Sequence, residues 1–488
     1  MRFTARLISK RDGFMPSGGV QPSKGSGHVI KSSSGPFIRE EAAMDKVGCI
    51  VVGAGPAGAA CAIGLARKGI ETVLVERGQY AGAKNVASFI LFADILERII
   101  PNYRDEAPLE RIASDTGFFA LRDGDFMEFR AKSTNYYEKP TMYTAYRSEF
   151  DRWFAGKAQE EGVEFVNGML VTGLLKENGR VVGVKVGDDE LLANVVIGAD
   201  GLHSVVARES GLYTDDTSRY MLGIKEVHDL PSEEIESRFQ LRKGEGCIRD
   251  GWGYPVSDIG GLSTIYTLND SITIVLFAPI DTMKEHGVSL RDRLEDYKAH
   301  PYIKKYLEGA KLREYEAHLI PEGGRLKLDQ MYTDGVLLCG EAGGFNSSMW
   351  VGVPPGMLSG LTAAEAVARA KKRGRYDAEA LSVYKELLFE TNLPRMLFNA
   401  RKFSDWFVTS ARRNMEGFTE GMFDTFIEYV MEEVNFTDPK PAPLMQHAYE
   451  NLVEPYLPKF LRKPAALLVK LLEKAETWNK MRKIRGAV

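Results

Sequence analysis

Val47-Gly-Cys-Ile-Val-Val52, then Gly53-Ala-Gly55-Pro56-Ala57-Gly58, then Glu71-Thr-Val-Leu-Val75 closing on Glu76, is the stretch whose reading decides the fold. The uncharged run at 47–52 has the pattern of a strand buried on both faces. The glycine-rich turn leads into a helix predicted through about Lys68, and 71–75 reads as a second strand, which makes a βαβ opening. Each glycine has its own task. Gly53 permits the tight turn, Gly55 lets the backbone approach a pyrophosphate, and Gly58 lets the helix pack on the strand. The helix begins at Pro56 and Ala57, so its free N–H groups and positive dipole end point at the phosphates. Glu76, about 20 residues on, is placed to bind ribose hydroxyls. Strand, turn, helix, strand and acid in register predict a dinucleotide site.

Outward from that unit, 488 residues suggest about two to three structural units. Apolar residues at 44% and charged residues at 27% are ordinary for a globular protein. A net charge of −4 argues against a nucleic-acid binder. The four cysteines, Cys49, Cys61, Cys247 and Cys339, form no Cys-x-x-Cys pair. An iron–sulfur cluster needs about four thiolates, usually three of them closely spaced, so none is expected on this chain. Cys49, Cys61 and Cys339 fall in apolar segments and read as small buried hydrophobes, a pattern that fits a reducing, intracellular compartment. The seven histidines are scattered, and no metal site is expected. Two uncharged stretches, 47–66 and 342–364, are long enough to mimic membrane spans. Glycines and prolines interrupt both, and they read as buried strand–loop–helix units.

Five regions are expected. Residues 1–43, rich in Gly, Ser and basic residues, read as a disordered extension. A start at Met44 would put Met-Asp-Lys directly before the first strand, so the extension reads as a start-site artefact, with a real tail or a targeting peptide as alternatives. Residues 45–212 form the first part of the nucleotide-binding domain, including an amphipathic helix at 149–161 and strands at 181–186 and 195–197. Residues 213–330 form a β-rich substrate domain, with alternation such as Ile272-Thr-Ile-Val-Leu-Phe277. Residues 331–375 close the nucleotide-binding domain with a strand at 336–339, a Gly-rich loop and a helix near 356–372. Residues 376–488 are helical.

Two distant segments distinguish the nucleotide. Ile197-Gly-Ala-Asp200-Gly201-x-x-Ser204 and Leu337-Leu-Cys-Gly340-Glu341-Ala-Gly343-Gly344 each follow a short apolar strand. They resemble the "DG" and "GD" motifs of the large FAD-dependent monooxygenase and reductase superfamily. The resemblance implies that the second acid bonds the ribityl or ribose part of FAD and that the following glycines let the flavin ring lie against backbone. Arg147, in Tyr146-Arg147-Ser-Glu-Phe-Asp151, matches that superfamily's arginine before a helix near the flavin. Glu341 stands where the motif usually has Asp, one methylene longer. The expected fold is α/β: a Rossmann-type FAD-binding domain, glutathione-reductase-like, with an inserted β-rich substrate domain and a helical C-terminal region.

A closer resemblance rests on Glu76-Arg77-Gly78 followed by Gly82-Ala-Lys84-Asn85, then Gly223-Ile-Lys225-Glu226, Leu230-Pro231, Ile235-Glu-x-Arg238-Phe239 and Ala317-His318-x-Ile320-Pro321-Glu322-Gly323-Gly324. From about 46 to about 370 the chain is similar to the FixC/EtfC branch of electron-transfer-flavoprotein:quinone oxidoreductases. Val86-Ala-Ser departs from the Gly-Gly commonly found after Asn85. The resemblance adds Arg77, Lys84 and Asn85 to the cofactor residues. It implies an electron relay: NADH electrons bifurcated in a partner electron-transfer flavoprotein of alpha and beta subunits, with one branch passing through this FAD to a quinone. A separate small ferredoxin-like 4Fe–4S subunit would accompany it, in agreement with the cysteine count. The implied location is cytoplasmic, on the inner face of the cell membrane. A geranylgeranyl-reductase-like enzyme, saturating isoprenoid double bonds, is the alternative.

No general acid or base is identified; His203 and His318 read as structural hydrogen-bonders before proton donors. Gly251-Trp252-Gly253-Tyr254-Pro255 is either a substrate-pocket lining or an aromatic cluster at a turn. From Leu457 apolar residues at 457, 460, 461, 465, 468, 471, 472, 475 and 478 make one helical face, flanked by Lys459, Arg462, Lys463, Lys470, Lys474 and Lys480. Such a basic amphipathic helix fits an anionic membrane surface, another subunit or its own domain.

Overall fold

The computed structural model describes residues 46–85, 88–213, 220–321, 330–346, 351–406 and 415–432, together with a helical stretch at 462–471 and a few residues just before it. The extension at 1–43, Val86-Ala87, Glu322-Gly323-Gly324 and the tail beyond 471, with Trp478, lie outside the described residues.

The chain opens with β1 (Val47–Val52), α1 (Pro56–Ala66) and β2 (Thr72–Val75). It crosses to β3 (Ser88–Phe92), β4 (Ile112–Arg122), β5 (Asp125–Lys132) and β6 (Met142–Tyr146), and returns through α2 (Arg147–Glu160) to β7 (Glu164–Val166), β8 (Val171–Glu177), β9 (Arg180–Val186) and β10 (Asp189–Gly198). A second excursion holds β11 (Tyr220–Asp229), α3 (Ser232–Phe239), β12 (Glu245–Gly253), β13 (Leu262–Thr267), β14 (Ser271–Pro279), α4 (Leu290–Ala299), α5 (Pro301–Leu307) and β15 (Lys311–Pro321). The chain then comes back to β16 (Tyr332–Thr333), β17 (Val336–Leu338) and α6 (Val353–Arg373), and continues through further helices to α7 (Met415–Glu432).

The first sheet runs β16-β17-β10-β1-β2-β7. Its five core strands, β17 to β7, are parallel. The long β10 serves two pairings: Asp189–Leu192 lie antiparallel to β9, while Ala193–Gly198 lie parallel to β1. β1 shows why its run is uniformly apolar. Cys49 and Val51 join the core under the helices, and Ile50 and Val52 join the core under the β8–β9 hairpin. α1 is built of small residues, and α6 lies hard against it: a Cβ on Gly360 would stand 2.2 Å from the Ala57 carbonyl oxygen. All four cysteines are buried and unpaired, as small apolar residues would be.

The second sheet has nine strands, in the order β15-β11-β14-β13-β12-β4-β6-β3 with β5 on β4. Four of them, β3 to β6, come from inside the expected 45–212 region, so this sheet is not confined to 213–330. The reason is long-range pairing: β4 lies parallel to β12, with Ile112 opposite Glu245. One face packs on α3, α4 and α5 around Ile224, Ile265 and Ile274. The other face, with Met221, Ile248, Tyr266, Val275 and Phe277, turns toward the first sheet's side of the molecule and packs with Tyr146 and Ile90. α7 returns onto this sheet, with Met415 against Trp252 and Leu262. Among the described residues no helix is long and apolar enough to cross a membrane.

Candidate active site

The turn between β1 and α1 has the form its glycines predict. Gly53 has φ +98°, and a Cβ there would stand 2.5 Å from the Ala199 carbonyl oxygen, so both conformation and space demand glycine. A Cβ on Gly58 would stand 1.9 Å from the Gly53 carbonyl oxygen. At Gly55 the opposite holds: nothing lies within 4 Å of where a Cβ would be. The open space faces the first turn of α1, with Pro56 and Ala57, where the amides have no intrahelical partner. Open space at Gly55 beside the free amides of a helix N-terminus fits a diphosphate.

Glu76 ends β2 with its carboxylate over that turn. Oε2 accepts from the Ala54 N–H at 3.0 Å and Oε1 from the Gly78 N–H at 2.7 Å. Arg77 and Lys84 are exposed at the rim, and Asn85 lies inside it with Nδ2 3.5 Å from Asp151 Oδ2. Arg147 opens α2. Its guanidinium donates to both Asp151 oxygens, at 3.2 and 2.8 Å, and sits over the Phe89 ring. Protein surrounds Arg147, yet 24% of its side chain stays exposed, so it lines an internal hollow. Burial opposes its charge, but Asp151 beside it, with Glu341 and Glu316 farther off, holds it firmly protonated.

The two acid–glycine segments close on the same place. Gly340 (φ +60°) sits so near α1 that a Cβ there would stand 2.7 Å from Ala57 Cβ, and its N–H donates to Ser359 Oγ at 3.0 Å. A Cβ on Gly201 (φ +76°) would stand 3.9 Å from Glu341 Oε2, so the "DG" and "GE" turns meet. Gly343 and Gly344 finish the tight turn 340–343 beside the N-terminus of α6. Asp200 is committed to its own backbone: Oδ1 accepts from Ser204 Oγ at 2.5 Å, and Oδ2 from the Val205 and Val206 N–H groups at 2.7 and 3.2 Å. Burial pushes its carboxyl up against those bonds. Its place is the cap of the short helix 205–209, at the wall of the hollow.

Above this floor lies the inner face of the second sheet. Ser88, which opens β3 just after the 82–85 turn, bonds Tyr266 (Oγ to OH, 3.0 Å) and Thr273 (Oγ to Oγ1, 2.5 Å), and its carbonyl accepts from Lys225 Nζ at 3.3 Å. Lys225 is surrounded by protein and partly exposed, so it too lines the hollow. Burial lowers its pKa, Glu316 opposes that, and Arg147 adds to it. Lys225, Glu316, Ser359 and Asp151 are site residues that motif reading did not assign. Trp252 packs at one end of this roof against Met415 and Phe118, and its indole N–H is buried with no acceptor among the described residues. His203 and His318 are both exposed.

A family model described as FAD binding domain matches residues 46–237. Protein FixC of Azorhizobium caulinodans is 36% identical over 354 residues, spanning 71% of this chain and 81% of that protein. The Probable electron transfer flavoprotein-quinone oxidoreductase YdiS of Escherichia coli (strain K12) is 34% identical over 403 residues, spanning 81% of this chain and 92% of that protein. The chain belongs to the FixC-type electron-transfer-flavoprotein:quinone oxidoreductase family. Like the family, it is an FAD-dependent oxidoreductase, and FAD is its cofactor. A geranylgeranyl bacteriochlorophyll reductase-like structure from Thermoplasma acidophilum superposes with a TM-score of 0.63 at 18% identity, over 86% of this chain and 98% of that one. That likeness supports the fold: the two-sheet architecture is shared with that structure.

Proposed function

We propose that this chain is the FAD subunit that passes electrons from an electron-transfer flavoprotein of alpha and beta subunits, by way of a separate small ferredoxin-like 4Fe–4S subunit, to a quinone within an electron-bifurcating complex. FAD supplies the redox chemistry, taking and giving electrons one or two at a time. The chain's own residues hold it. The turn from Gly53 to Gly58 carries the diphosphate, Glu76 the adenosine ribose, and Glu341 the ribityl side. Gly340, Gly343 and Gly344 lie against the ring, with Arg147, Asn85 and Lys84 along the approach and Gly201 and Asp200 shaping the wall.

The observation that carries the acceptor is the roof. Met221, Phe277, Leu262 and Trp252 give a largely apolar ceiling over the cofactor floor, with a few polar groups set into it. Such a surface fits a flat, lipid-soluble ring with oxygen at its ends. The name of the YdiS relative points the same way.

The experiment is to reduce the bound FAD without oxygen and offer a menaquinone analogue, an unsaturated isoprenoid and oxygen in turn. Rapid reoxidation by the quinone is expected. Reoxidation by the isoprenoid and not by the quinone would move the chain to the reductase reading.

A further inference from the structure

Asp250 stands on the inner face of β12, outside every motif that marks the cofactor site. The strand registers place Glu316, Lys225, Val275, Thr264 and Asp250 side by side in one row across the roof. Tyr266 and Ile248 lie in the next row on one side, and Phe277 and Leu262 in the next row on the other. Thr264 Oγ1 donates to Asp250 Oδ1 at 3.0 Å. Protein encloses Asp250 on almost every side, yet part of it stays exposed, which puts it on the wall of the hollow. Trp252, whose indole N–H is buried with no acceptor among the described residues, is two residues along the same face. Tyr266, two residues from Thr264 on that face, reaches Ser88 at the start of β3. A carboxyl group with apolar surface on both sides therefore stands one row from Tyr266, whose hydroxyl reaches the segment that follows the 82–85 turn.

The charges around Asp250 are few. Tyr297 of α4, its own hydroxyl pushed up by burial, interacts with it from the opposite side of the sheet. Arg249 points to the other face, onto Asp115 at 2.5 Å and Glu128 at 2.8 Å. Lys225 is three strands away, about 14 Å at ordinary strand spacing. Met415 from α7 and Phe118 from β4 bring no charge. With no cation beside it, burial raises the Asp250 carboxyl to about 6 against the bond from Thr264.

We propose that Asp250 is the proton donor to the quinone oxygen, an assignment that rests on the acceptor reading above. A quinone becomes a quinol by taking up two electrons and two protons, and bound FAD, once reduced, would supply both electrons and one of the protons. The second proton leaves the Asp250 carboxylic acid: its O–H bond breaks, an O–H bond forms on the quinone oxygen, and the carboxylate regains a proton from water.

The test compares the wild type with D250N and D250E. Each is reduced anaerobically and reoxidised by menadione, which needs protons, and by ferricenium, which does not. The readout is the ratio of the two rates, because loose packing would slow both. For D250N the ratio should fall by about 100-fold, within the range for a lost general acid, and D250E should restore part of it. The wild-type menadione rate should fall as pH rises through about 6, and D250N should lose that inflection. An infrared titration of the resting oxidised protein should show a carboxylic acid band that disappears near the same pH and is missing from D250N. An unchanged rate ratio, or the same band in D250N, overturns the assignment while leaving the quinone reading intact. A wild type that no quinone reoxidises overturns that reading and the role of Asp250 with it.

Discussion

At Asp250 the folded chain keeps a proton that an unfolded chain would release. The carboxyl titrates near 3.8 when free and near 6 in place. Between those values the native state binds more protons than the unfolded state, so stability falls as pH rises through that window and the full cost persists above it. D250N should remove the cost. Its gain over the wild type in urea unfolding should be small near pH 4 and reach on the order of 2 kcal/mol above pH 7. A gain that does not vary with pH would mean that the side chain is not held protonated. Other single residues are legible in the sequence alone. Glu76 announces itself by its distance from the glycine turn, because its partners, Ala54 and Gly78, lie on the same βαβ unit. Asp200 is legible as part of the site, but not in its local work as a helix cap, because Ser204 and the two amides it binds could equally have left it facing a ligand.

At the scale of elements, the β1–α1 junction separates two kinds of glycine. G58A drives a methyl group into the Gly53 carbonyl and should cost about 1–3 kcal/mol of stability whether or not FAD is bound. G55A adds its methyl to open space, so the flavin-free protein should unfold within about 0.5 kcal/mol of the wild type. Its flavin content after purification should nevertheless collapse. Loss of stability in flavin-free G55A equal to that of G58A would show the turn to be purely structural. This junction can be read because all its parts are contiguous. The roof cannot. That Lys225, Thr264 and Asp250 share one row depends on β11 meeting β14, β14 meeting β13 and β13 meeting β12 in one register, and a slip of one residue would turn each side chain to the opposite face. Alternation in 272–277 predicts a strand but says nothing of its neighbours. The parallel pairing of β4 with β12 joins residues more than a hundred positions apart, a neighbourhood that no local sequence pattern shows.

For the molecule as a whole, the described part of the tail leaves Leu467, Leu468 and Leu471 exposed by 60, 58 and 55%, with Lys463 and Lys470 also exposed on the same stretch. Apolar side chains among lysines suit the boundary of an anionic bilayer, where each basic residue adds about 1 kcal/mol at low salt. Full-length protein should float with anionic vesicles, release as salt rises, and lose that binding when cut before Leu457. Equal flotation of both forms would remove the tail from membrane attachment. The path of the chain carries a different consequence. It leaves the first sheet after β2, returns at β7, leaves again after β10 and returns at β16. The chain thus crosses four times between floor and roof. One chain laid down alternately in two sheets leaves neither sheet as a contiguous stretch of sequence, so neither floor nor roof can be cut out as a fragment that keeps its strands.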